Sequence, residues 1–259
     1  MHSEPSNPEL AGSNRTRLTL TKAVKNQYIY KLKAYSGYFC TLILMQVIAE
    51  LLMLLIGGQS GAGGSFFVIR TLSPSNVVLF SELWALIVAL LLTPGLSRSA
   101  AFLLPCNRIS DSLSDLGFIL TGCLFGCVTA GMIDIAFRVA VYTLNSGMIV
   151  ERGFYPSLSG TATLIVSTFF YLLFFSSIGY FSGMLIKFSK AFYFIIPAMF
   201  FLAIYLETKS AKSQTLFRIC WSSIFHESSL AVFAARITML SALMLAICAI
   251  VSYRMEVRE

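Results

Sequence analysis

Charge is what this chain has least of. Only 12% of its 259 residues are charged, while 57% are hydrophobic; soluble proteins carry roughly 25% charged residues. So little charge leaves too little polar surface to cover a soluble globule. The shortage is also uneven, because long stretches hold no charge at all, as in a chain that crosses a membrane several times. Histidine is reduced to His2 and His226. Neither lies near Cys123 and Cys127 in the sequence, so that pair lacks the further ligands a metal needs and reads as helix packing. The six cysteines are scattered mostly through apolar runs and form no disulfide framework. The first 37 residues contain no short apolar core ahead of a cleavage site, so no secretory signal is expected. The glycine-rich GGQSGAGG at 57–64 is not followed by Lys-Ser or Lys-Thr. It is therefore no phosphate loop but a flexible turn, and any nucleotide used is expected in another subunit.

What the chain does have is apolar length. Crossing the hydrocarbon takes roughly 20 apolar residues as a helix. Six runs qualify: 38–56, 76–94, 114–142, 160–186, 191–207 and 231–252. The break IKFSKAF makes the fourth and fifth a tight hairpin. Six spans put both termini on one side. Twelve Lys and Arg fall on that side and five on the other, so both termini are expected in the cytoplasm. The net charge of +7 then reads as attraction to anionic lipid rather than to nucleic acid.

Two segments read as interfacial. Val24, Tyr28, Leu32 and Tyr35 recur at helical spacing, with Lys22, Lys25 and Lys33 largely opposite. This predicts an amphipathic helix on the inner leaflet. SQTLFRICWSSIFHESSL, 213–230, carries an apolar stripe but is too short to cross, so it is expected as a re-entrant or surface-lying helix before the last span. The fold class is an all-α membrane protein. Its expected parts are a cytoplasmic N-terminus (1–17), an amphipathic helix (18–37), a six-helix transmembrane domain (38–252) and a cytoplasmic C-terminus (253–259).

Five charges fall within the spans: Glu50, Glu82, Asp134, Arg138 and Arg236. Counting about 1.5 Å per residue places all five in the outer half. Asp134 and Arg138 are four apart, acid first, the favourable order for a helical pair. They are either a polar lining or gate of a pathway, or arginines reaching for the surface with acids to satisfy them. Glu50 and Glu82 lie deepest and are the better functional candidates. No carboxylate pair or nucleophile–base pair is specified well enough to mark a membrane-embedded enzyme. An intramembrane enzyme using these carboxylates and a non-pumping immunity or scaffold protein are the competing readings. Gly122, Gly126 and Ala130, and Gly179 and Gly183, recur every four residues, a spacing that lets helices approach closely.

FLLPCNRISDSL, 102–113, interrupts the apolar runs on the cytoplasmic side. Pro105 can begin a helix or Asn107 can cap one, and Arg108, Asp111 and Asp115 share a face. With this segment on the page, the chain resembles the permease subunit of a bacterial ABC transporter of the type-2 exporter class. LTKAVKNQYIYKLKAYSG is similar to that family's elbow helix, and LLPCNRISDSLSDLGFIL to the segment after its second span. TLFRICWSSIF resembles its external re-entrant helices, and SYRMEVRE its short basic end. Where the family more often has Ser before the arginine, this chain has Asn107. The resemblance implies a dimer of permeases, identical or related, in the bacterial cell membrane. It implies separate ATPase subunits that hold ATP and Mg, so this chain would be no enzyme and would need no cofactor of its own. Pro105, Asn107, Arg108, Asp111 and Asp115 would then form the coupling helix that docks the ATPase. The cargo expected from the aromatic- and methionine-rich composition is an amphipathic or hydrophobic peptide, drug or lipid.

Overall fold

The computed structural model describes residues 21–22, 24–56, 58–59, 70–72, 75–93, 108–143, 149–150, 157–189, 191–209 and 230–256. Among these the chain is helical apart from three very short strands. Residues 24–34 form α1, which ends in a turn at Tyr35. Then come α2 (Ser36–Ile56), β1 (Gly58–Gln59), β2 (Arg70–Leu72), α3 (Ser75–Leu91), α4 (Arg108–Thr143), β3 (Ile149–Val150), α5 (Leu158–Phe188), α6 (Phe192–Lys209) and α7 (Leu230–Glu256).

Among the described residues four helices are long and apolar enough to cross a bilayer: Ser36–Leu55, Ser112–Thr143, Leu158–Ile186 and Leu230–Cys248. The protein is therefore membrane-embedded. Helix α3 is apolar but shorter, 17 residues. Helix α6 has 18 residues and carries Pro197 inside it. The expected second and fifth spans are thus helical, at the lower limit of spanning length. The apolar stripe around Trp221 lies outside the described residues.

Contacts fix the direction of each helix. Trp84 donates its indole N–H to Thr41 Oγ1 at 3.0 Å, and Gln46 reaches Ser81 at 2.9 Å. The lower number on α2 meets the higher on α3, so these helices are antiparallel. Phe39 meets the Phe118 ring at a tilt and the Phe125 ring edge-on, and Gln46 bonds to the Gly126 carbonyl, so α2 and α4 run parallel. Gly179 packs on Leu86 and Gly183 on Leu90, so α3 and α5 are parallel. Helices α2 to α5 thus alternate in direction. β2 pairs with β1 antiparallel and with β3 parallel, Thr71 opposite Ile149. The loops after α2 and α4 therefore meet at one end of the bundle. Gly58 and Gln59, expected in a flexible turn, are held in that ladder.

Helices α4 and α5 are central, and α2 and α7 more peripheral, as their shares of buried residues show. The core joins Leu42, Trp84, Val88, Phe118, Leu172 and Tyr180. A second cluster of Phe174, Phe233 and Ile237 ties α5 to α7. In lipid such packing is driven by close fit rather than by exclusion of water. The fit is closest at Gly179, where an added Cβ would fall on the Leu86 carbonyl oxygen. Only glycine lets these two backbones meet.

Candidate functional site

Two buried polar clusters lie at different levels of the bundle. The first joins α1 to the start of α4. The α1 stripe of Val24, Tyr28, Leu32 and Tyr35 is part-buried, Gln27 and Lys31 at its centre are buried, and Lys22, Lys25 and Lys33 are exposed. The predicted amphipathicity is present, but the stripe packs against protein: Tyr28 on Gly117 and Tyr35 on Phe118. Lys31 forms a buried ion pair with Asp115, and Tyr180 of α5 donates to the other Asp115 oxygen at 3.4 Å. Ser110 Oγ donates to Gln27 Oε1 at 2.8 Å, and the Tyr28 and Thr121 hydroxyls meet at 2.7 Å. Every buried polar group here has a partner, which is the condition for a buried network to be stable.

The second cluster lies further along α4. Asp134 is nineteen residues beyond Asp115, about 28 Å of helical rise and close to the hydrocarbon thickness. Arg138 Nε donates to Asp134 Oδ2 at 2.9 Å, with both side chains almost fully buried. Below them Gln46 donates to Ser81 Oγ at 2.9 Å and to the Gly126 carbonyl at 3.2 Å, while Ser81 donates to the Val77 carbonyl at 2.7 Å. Glu50 lies one turn beyond Gln46 on α2, fully buried, with Asp134 and Arg138 within electrostatic reach. Here the accounting fails. Gln46 Oε1, both Glu50 oxygens and Asp134 Oδ1 are buried and accept no hydrogen bond.

Of the five intramembrane charges, the bundle thus gathers Glu50, Asp134 and Arg138. Glu82 follows Ser81 and lies within electrostatic reach of Tyr171 on α5. Arg236 is exposed on α7. Among the coupling candidates, Pro105 and Asn107 lie outside the described residues, as do the side chains of Arg108 and Asp111. From Arg108 onward the segment is no separate docking helix: it is the first turns of α4, continuous with the span. Asp115, expected to pair across an interface, has its partner inside the chain. Lys31, Gln27, Gln46, Ser81 and Tyr180 were not read from the sequence. Lys31 looked like one more surface cation. Gln46 carried a usable signal, standing four residues before Glu50 in a run otherwise free of charge.

Cys123 and Cys127 are buried and free. Cys127 bonds to the Leu124 carbonyl at 3.1 Å, and Cys123 lies 3.6 Å from the Ser176 hydroxyl. No group of three His, Cys, Asp or Glu residues gathers among the described residues. An apolar crevice between α3, α4 and α5, lined by Trp84, Phe118, Cys123 and Leu172, holds about 10 Å³, room for roughly one water and far less than a ligand site. No family model, curated protein or solved structure matches the chain.

Proposed function

We propose that the chain is the permease subunit of an ATP-driven exporter. It has six spans, both termini in the cytoplasm, and α1 as an elbow helix. It moves an amphipathic or hydrophobic peptide, drug or lipid outward, with ATP hydrolysed by a separate subunit. One observation carries this reading: α1 is joined to the first turns of α4 through Lys31–Asp115, Gln27–Ser110 and Tyr28–Thr121. Those turns continue the segment that the family resemblance makes the docking element. A push delivered there by an ATPase reaches α4 along its axis. Through Lys31 and Tyr180 it also reaches α1 and α5. Rigid, fully partnered contacts suit the transmission of force, because they leave no slack to absorb it.

The test is co-expression with candidate ATPase subunits, then copurification and ATP-dependent efflux of an amphipathic fluorescent peptide from liposomes. Copurification with one of them and vanadate-sensitive efflux is the expected result. A chain that binds no ATPase and supports no efflux overturns the reading. Charge reversal at Arg108 or Asp111 is expected to weaken docking or coupling at least tenfold while leaving insertion intact.

A further inference from the structure

Glu50 poses a problem of charge and hydrogen bonding that its surroundings do not solve. The residue is fully buried, and neither carboxyl oxygen accepts a hydrogen bond. From α4, the charged groups that reach it are Asp134 and Arg138. These two already pair at 2.9 Å and cancel. From α3 comes Ser81, bonded to Gln46 and Val77, while the Glu82 charge acts on Tyr171 of α5. An ionised Glu50 would leave this trio with one uncompensated negative charge in the hydrocarbon, where a lone charge is costly.

The hydrogen bonds point the same way. The unpartnered atoms of the cluster are Gln46 Oε1, Glu50 Oε1 and Oε2, and Asp134 Oδ1. All four are acceptors, so what the site lacks is a donor. A proton on Glu50 turns an acceptor-only carboxylate into a group with one O–H donor. The same proton removes the net charge. A metal ion fits less well: hard cations take about six or more oxygen ligands. Among the described residues no third carboxylate joins the two, and the Arg138 guanidinium already occupies the region.

We infer that Glu50 is a proton-binding site within the membrane, carrying its proton at neutral pH in the packed α2–α4 interface. The inference concerns the isolated chain. It stands or falls independently of any ATPase partner.

Infrared spectroscopy of the purified full-length chain in lipid nanodiscs tests it. At neutral pH a protonated-carboxyl C=O band is expected, shifting to lower frequency in D2O. Glu50→Gln is expected to remove the Glu50 component of that band, and Glu82→Gln to leave that component in place. Should Glu50→Gln fail to assemble, Glu50→Asp serves, since an aspartic acid moves the component without deleting it. A wild-type chain with no protonated-carboxyl band overturns the inference. So does a band of unchanged intensity in Glu50→Gln or unchanged frequency in Glu50→Asp.

Discussion

A lysine ammonium buried between helices must meet a counter-charge or lose its proton, and Lys31 meets Asp115. Breaking such a pair from one side strands the other charge, at about 3–5 kcal/mol. Lys31→Met or Asp115→Leu alone is therefore expected to lower the unfolding midpoint in detergent strongly. The double variant Lys31→Met/Asp115→Leu, which strands nothing, is expected to recover much of the loss. A thermal-shift series on the four proteins measures this, and equal, additive losses would show that the two residues act separately. Arg138→Met is expected to be worse tolerated than Arg236→Met. Arg138 cancels Asp134 in a buried site beside Glu50, whereas Arg236 is exposed on α7.

Among the elements, the α3–α5 contact is the one with no room for adjustment. An added Cβ at Gly179 meets backbone, and at Gly183 it comes within 2.8 Å of Thr93 and 2.9 Å of the Leu90 carbonyl. Gly122 shares the small-residue spacing, but there the nearest atoms belong to the Trp84 ring at 3.8 Å, an ordinary contact. Gly179→Ala is expected to cost about 1–3 kcal/mol or more, as overpacking does, and Gly122→Ala close to nothing. Monodispersity and thermal stability of the two variants decide it; equal behaviour would mean that α3 and α5 do not meet as described. Helix α5 starts at a serine cap, where Ser157 Oγ accepts from the Gly160 N–H at 3.1 Å. Ser157→Ala is expected to cost about 1 kcal/mol.

At the scale of the whole molecule, the alternating helix directions and the meeting of β1, β2 and β3 place the loops after α2 and α4 at one end. Reporter fusions after residues 72 and 150 are expected to report one side of the membrane, and fusions at 107 and 259 the other. A C-terminal reporter on the same side as the 150 fusion would break the six-span count, with the 17-residue α3 or the proline-bearing α6 as the first suspect. The apolar runs announced these helices because crossing length is a local property. The boundaries were less legible: the helix expected around Arg108 is no short separate element but the start of α4, which runs unbroken to Thr143 because nothing among its first residues forbids helix.

By itself the sequence determined that the chain lives in a membrane, that it is built from helices, and where the expensive charges fall. Each of those follows from the transfer cost of residues taken one at a time. The i,i+4 order of Asp134 and Arg138 also made their pairing legible, because both lie on one helix. Only the tertiary structure decided that Lys31 and Asp115 pair, that Gln46 bonds across to Ser81 and Gly126, and that Glu50 is left with acceptors and no donor. The physical reason is that a partner on another helix is set by rotation and close approach. Those depend on side chains such as Gly179 and Trp84 fitting together, and no single stretch of sequence carries that information.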